Sequence, residues 1–255
     1  MRAISVVIIT FNEENNIGRC IDSVKKIADE ILVVDSFSSD NTVAIAKNKG
    51  AIVHQEKFRG YVEQKNLALQ LSSHQYVLCL DADEALDEIL INSILELKTT
   101  VHAQAYSMNR CTNYCGRFIR RGLWYPDKKL RLFDKEIAVW GGVNPHDKVI
   151  LTKAVKIHHL KGDLLHYSFN SIEEHVAQNN KFSGISAQAL YQAGKRTNLF
   201  KITVNPIWAF IHGYFLRFGF LDGLYGFIIA INISHLTFLK HTKLMVLQRR
   251  KNRAA

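Results

Sequence analysis

The first hundred residues alternate short, unbroken apolar runs with segments whose apolar residues recur every three or four positions, and few folds satisfy that alternation. SVVIIT at 5–10, EILVVD at 30–35, AIVHQ at 51–55 and YVLCL at 76–80 are each five or six residues long and flanked by polar residues. Runs of this kind suit strands buried on both faces. Between them, residues 15–28 carry Ile17, Ile21, Val24 and Ile27 at helical spacing. Residues 38–50 read as a capped helix ending at Gly50, and residues 60–71 and 87–97 as two more helices. Strands separated by such helices predict an α/β fold around a mostly parallel sheet.

From residue 104 the pattern changes. AYSMNRCTNY, KLRLF, AVW and KVIL are strand candidates with no helices between them, so a smaller β region is expected there. Residues 171–193 then read as one long helix. After Asn205-Pro206 come two apolar stretches, IWAFIHGYFLRFGFL and GLYGFIIAINISHLTFL, and the chain closes on LQRRKNR followed by two alanines. The expected division is 1–200, with halves 1–100 and 101–200, followed by basic amphipathic helices over 201–255.

The charge sharpens the reading of that last part. Residues 1–174 hold 22 Lys and Arg against 22 Asp and Glu, whereas residues 175–255 hold 11 against a single acid, Asp222. The whole net charge of +10 therefore lies in the C-terminal third. Basic and apolar together point to an anionic membrane surface and away from nucleic acid, which favours polar basic patches. His212, Arg217, Asp222 and Asn232 break the apolar stretches, and Ser234 and His235 interrupt the second further, so no clean run of spanning length remains. Helices lying in the interface are expected, with Lys240, Lys243, Arg249, Arg250, Lys251 and Arg253 on the head groups. An oligomer interface or a buried helical hairpin is the alternative. The four cysteines lack zinc-ribbon spacing, and Cys20 and Cys79 fall in apolar patterns as core thiols. Residues 1–10 read as a first strand and not a signal peptide, which favours the cytoplasm.

Parallel sheets bind ligands at the C-terminal ends of their strands. Here those ends are Thr10-Phe11-Asn12-Glu13, Asp35-Ser36 and Asp81-Ala82-Asp83. Neither G-x-G-x-x-G nor G-x-x-x-x-G-K-[ST] is present, so no glycine cradle for phosphates is encoded. Alternate carboxylates at a strand end can instead hold a divalent cation, Mg²⁺ or Mn²⁺, that bridges to a diphosphate. Turn or cap aspartates are the plainer alternative, and Glu84 and Asp87 read as first-turn residues of the next helix.

The set SVVIITFNEENNIGRCIDSV, EILVVDSFSSDNT, QKNLALQ and YVLCLDADE resembles the nucleotide-sugar half of inverting glycosyltransferases of family 2, which have the GT-A fold. RRGLWYPDKKLRLF, NPHDKV, LLHYSF and GFLDGLYGF extend the resemblance to the branch containing lipopolysaccharide-core glucosyltransferases, which act on lipid-linked acceptors. The resemblance implies that Thr10, Asn12 and Glu13 lie against the nucleoside and that Asp35 bonds the base, typically uracil. It places Lys65 near the base or diphosphate, Asp81 at the ribose or metal, Ala82 against the nucleotide-sugar, and Asp83 with His166 on the metal. The family position for the general base is a glutamate in a Val-His-Glu context; here Asn144-Pro145-His146-Asp147 makes the shorter Asp147 the candidate, a turn aspartate being the alternative. Arg121, Trp124 and Arg131, together with Arg120 and Tyr125, are candidates for an acceptor cleft, where aromatics stack on sugars and arginines hold phosphates. The expected partners are a nucleotide-sugar donor such as UDP-glucose, a lipid-linked saccharide acceptor, and the inner face of a bacterial cytoplasmic membrane, with the enzyme peripheral on it. A sugar nucleotidyltransferase, which places a Gly-rich basic loop where this chain has FNEEN, and a non-catalytic saccharide-binding scaffold are the rivals.

Overall fold

A computed structural model of the chain describes residues 3–99, 103–143 and 146–254. The chain forms two compact units. One comprises Met1–Arg110 and Asp127–Tyr167, the other Cys111–Pro126 and Ser168–Ala255. The boundary expected at residue 200 falls inside a helix, Leu199–Ile211.

The first unit opens with β1 (Ile4–Thr10), α1 (Ile17–Val24), β2 (Glu30–Asp35), α2 (Thr42–Asn48), β3 (Ile52–Gln55), α3 (Tyr61–Leu71) and β4 (Tyr76–Asp81). The sheet order begins β3-β2-β1-β4, and all three of these pairings are parallel. Val6, Ile8, Val33, Val77 and Leu78 are completely buried, as expected of strands covered on both faces. Register sets the site: Thr10 pairs with Asp35 and Ile9 with Asp81, so three strand ends meet at one edge.

Beyond β4 come β5 (Glu84–Leu86), α4 (Glu88–Thr99), β6 (Ala105–Tyr114), β7 (Arg117–Phe118), β8 (Asp127–Asp134), β9 (Ala138–Val143), β10 (His146–Leu151) and β11 (Ile157–Phe169). The sheet continues from β4 through β8, β6, β11 and β5, with β8 antiparallel to β4 and β11 antiparallel to β5. It is thus parallel in its first half and mixed in its second. β9 and β10 form a separate antiparallel hairpin. The periodicity reading missed β5 and the 13-residue β11. Glu84, expected in a helical first turn, is a buried strand residue. Asp87 does begin α4, its carboxylate accepting the Leu90 N–H at 2.7 Å.

The second unit holds the ends of β6 and β11, the short β7, and three helices, α5 (Ile172–Gln192), α6 (Leu199–Ile211) and α7 (Gly223–Ala254). Ser171 caps α5 by accepting the Glu174 N–H. A π-helical turn (His212–Leu216) and a 3-10 turn (Gly219–Asp222) join α6 to α7. The polar residues expected to interrupt the last apolar stretch do not interrupt the helix. The Asn232 amide donates to the Ile228 carbonyl of its own helix at 3.0 Å, and the Ser234 hydroxyl donates to the Pro206 carbonyl of α6 at 2.9 Å. The first is satisfied within α7 and the second ties α7 to α6 inside the unit. The 31 residues Gly219–Arg249 are therefore long and apolar enough, by length and composition, to cross a membrane.

Candidate active site

The strand ends border a cavity of about 960 Å³ lined by residues of the first unit. Thr10 and Glu13 reach it from β1 and the loop after it, Asp81, Ala82 and Asp83 from β4 and its turn, Lys65 from α3, Asp147 from β10 and His166 from β11. Eight of the residues expected at the site are therefore brought together.

The histidine is placed by sheet register. β11 pairs with β5 so that His166 faces Glu84, and the Tyr167 N–H donates to the Asp83 carbonyl at 2.9 Å. His166 Nε2 then lies 3.2 Å from Asp83 Oδ2. Glu13 completes this acidic corner. Burial raises its pKa; the Asn16 amide partly opposes this, and the negative charge of Asp83 adds to the rise.

QKNLALQ supplies three consecutive working side chains on α3. Gln64 donates to Ser36 Oγ at 3.1 Å. Lys65, 5% exposed, bridges two carboxylates, 2.9 Å from Asp81 Oδ1 and 2.8 Å from Asp147 Oδ2. Asn66 clamps the β9–β10 hairpin, donating to the Trp140 carbonyl and accepting the Trp140 N–H, each at 2.9 Å. Lys65 also sits 4.5 Å from the centre of the Trp140 ring. Asn144 and Pro145, part of the motif that introduced Asp147, lie outside the described residues.

Asp81 is the strand-end carboxylate with built-in partners. Burial alone would raise its pKa, but the Lys65 ammonium and the Arg131 guanidinium outweigh that and hold it well below the usual carboxylate range. Arg131, expected beside an acceptor, is instead 4% exposed and spends its guanidinium on Asp81 at 3.1 Å and Glu84 at 2.8 Å. Glu84 in turn accepts the Asp81 N–H at 3.0 Å. Trp124 and Arg121 belong to the second unit. Trp124 stacks on Phe169 at 5.5 Å beside Tyr114 and His175, so its ring faces are engaged within that unit, while Arg121 is exposed.

Two other expected contacts serve the framework. Asp35 is completely buried, accepting from Ser38 and, at 3.0 Å, from Gln55. Asn12, with a left-handed φ of 53°, accepts the Ser39 N–H at 2.9 Å. Both pin the loops that carry Phe11 and Phe37. With Phe58 and Tyr61 these form a rim of aromatics 43–57% exposed, and Phe37 holds a left-handed φ of 63°. Such a conformation is costly for a bulky side chain and is retained where its surroundings demand it. The sequence reading missed this rim; its only local signal is that each phenylalanine follows a strand end or precedes the QKNLALQ helix.

Parallel strands ending in an acidic turn, joined to antiparallel strands that return a histidine to that turn, match the GT-A fold. The family model for glycosyl transferase family 2 matches residues 5–161, more than half of the chain, which belongs to this family. Over 255 aligned residues it is 38% identical to an uncharacterised glycosyltransferase of Rickettsia prowazekii, covering 96% of this chain and 87% of that one. It is 30% identical to the lipopolysaccharide core biosynthesis glycosyltransferase LpsC of Rhizobium meliloti, covering 94% and 91%. Among solved structures, the mannosyltransferase PcManGT from Pyrobaculum calidifontis, in complex with GDP-Man and Mn²⁺, shares the fold. Its TM-score is 0.55 at 15% identity, covering 96% of this chain and 88% of that one. The chain is therefore a glycosyltransferase enzyme.

Proposed function

We propose that this enzyme transfers a sugar, with inversion, from a nucleotide-sugar (a UDP-sugar such as UDP-glucose) to a saccharide carried on a lipid, lipopolysaccharide core being the first acceptor to test. One observation carries the reading: a single cavity holds the Asp83–His166 pair, the Lys65–Asp147 pair and the aromatic rim. The donor's diphosphate would lie by Asp83 and His166, its base against the rim, and Asp147 would accept the proton of the attacking hydroxyl. An inverting displacement needs no covalent nucleophile. Lys65 orients Asp147, and Asn66 fixes the hairpin that bears it.

The donor set also fits a divalent cation. No cluster of three or more His, Cys, Asp or Glu suited to a metal occurs among the described residues, but Asp83 and His166 are already adjacent. Mg²⁺ and Mn²⁺ are often held by one or two carboxylates together with phosphate oxygens. Bound there, the cation would neutralise charge on the departing diphosphate.

The second unit carries the membrane association in this reading, on the cytoplasmic face. Leu199, Phe200, Ile207, Trp208 and Leu224 are each more than half exposed, and exposed apolar side chains of this kind would face the lipid. LpsC supports the choice of acceptor and PcManGT the use of a nucleotide-sugar with a metal.

The test is thermal stabilisation by a panel of nucleoside diphosphates with and without Mn²⁺, on the full chain and on Asp83→Asn. A ligand at a hundred times its Kd stabilises by about 2.7 kcal/mol. Stabilisation by UDP that requires the metal and vanishes in the variant is expected. No response to any nucleotide would overturn the donor site.

A further inference from the structure

The motifs RRGLWYP and RFGFLDGLYGF are remote in sequence and have no part in the proposed chemistry, yet the second unit binds them together. Asp222, 7% exposed, accepts the backbone N–H groups of Arg120 and Arg121 at 3.1 and 2.8 Å. The Gly122 N–H donates to the Arg217 carbonyl at 2.9 Å. The segment that receives these bonds is irregular: a π-helical turn, then Phe218 at φ 57°, then a 3-10 turn. π-Helical turns and left-handed non-glycine residues concentrate at functional sites. Glycine permits the tight packing, since a Cβ on Gly226 would stand 1.9 Å from the Gly219 carbonyl oxygen.

This clip borders a second cavity, about 550 Å³, whose lining includes Arg120, Arg121 and Arg217 together with Leu216, Phe218 and Leu221. The three apolar residues are 54–57% exposed, and the three arginines are exposed as well. The acid of the cluster, Asp222, is turned inward and occupied by backbone donors. Guanidinium forks match phosphate oxygens in pairs, and exposed Leu and Phe beside them match an alkyl chain and not water.

We infer that this cavity binds the phosphate of a lipid, with its alkyl chain against Leu216, Phe218 and Leu221. The inference rests on the proposal that the second unit meets the membrane and narrows it: head-group phosphate is captured at a built site, beyond the diffuse attraction of the basic C-terminus.

The experiment is co-sedimentation of the full chain with vesicles of phosphatidylcholine alone, of phosphatidylcholine–phosphatidate, and of phosphatidylcholine–phosphatidylserine at equal charge density. The principal variant replaces Arg120, Arg121 and Arg217 with lysine, which keeps the charge and removes the forks. A comparison variant, R249Q/K251Q/R253Q, instead removes three charges from the C-terminus. The lysine variant is expected to lose about tenfold in binding to phosphatidate vesicles, the worth of one lost charge-assisted contact, and Leu216→Asn is expected to lose binding too. The C-terminal variant should keep the preference for phosphatidate over phosphatidylserine vesicles of equal charge density. Unchanged binding by the lysine variant, with a large loss in the C-terminal one, would make the attraction diffuse and overturn the site. Equal protection against melting by inorganic phosphate would make it a free-phosphate site and overturn the lipid assignment. If the triple variant melts early, Arg217→Lys alone decides. The nucleotide response of every variant reports separately on the donor site, so failure here is distinguishable from failure there.

Discussion

Arg131→Met tests the buried charge network that supports the acidic turn. The guanidinium is 4% exposed and faces two carboxylates, Glu84 with a completely buried side chain and Asp81 at 27%. Removing one partner of a buried ion pair typically costs about 3–5 kcal/mol, because the remaining charge is left without compensation. Two residual contacts reduce that here: Lys65 stays 2.9 Å from Asp81, and Arg110 lies 3.8 Å from Glu84. The expected loss is therefore at the low end, about 3 kcal/mol, or about 6–12 °C in Tm for a unit of this size. The measurement is thermal and urea unfolding of the wild type, R131M and R131M/E84Q. The amide in the double variant keeps an acceptor for the Asp81 N–H while removing the stranded charge, so it should recover at least half of the loss. The pH dependence of the wild type follows from Asp81. In the wild type, Asp81 has a lowered pKa, so its contribution is present above the ordinary carboxylate range and is lost as pH falls below about 4. A loss under about 1 kcal/mol, or a double variant no better than the single, would refute the argument.

Three further outcomes follow from named contacts. Asp147→Asn should lower transfer by about 10²–10⁴-fold while nucleotide affinity stays nearly intact, and retained turnover would remove Asp147 from the mechanism. Burial brings the His175 pKa down to about 4, beside the Tyr114 hydroxyl at 3.0 Å. The unfolded chain then takes up more protons on acidification, so stability should fall by up to about 3 kcal/mol between pH 6.5 and 4. His175→Gln should flatten that slope in urea titrations. Gly226→Ala drives a Cβ against the Gly219 backbone and should cost about 1–3 kcal/mol or more, whereas Gly184→Ala meets only the tip of Lys243 at 4.0 Å and should be neutral or stabilising. Equal melting of those two variants would refute the packing assigned to the glycines.

Much of the first unit could be read from local sequence. Ile4–Thr10, Glu30–Asp35, Ile52–Gln55 and Tyr76–Asp81 form the expected strands, because a short apolar run between polar flanks has few other ways to hide. Since parallel strands present their C-terminal ends along one edge, Thr10, Asp81 and Asp83 had to converge wherever those strands paired. Other features depended on partners far along the chain. Arg131 looked like a surface ligand residue until β8 paired with β4 and placed it under Asp81, 50 residues away. His166 reached Asp83 only through the β11–β5 register, and a strand shifted by one residue would have turned it to the other face. Asn232 and Ser234 looked like interruptions because hydropathy does not see that a carbonyl one turn back satisfies the first and a carbonyl of α6 the second. Periodicity and propensity arise among residues adjacent in the chain, so the sequence by itself determined which segments are strands and which ends carry acids. Ion pairing and hydrogen bonding depend on register and packing between distant segments, so only the tertiary structure decided which charges meet.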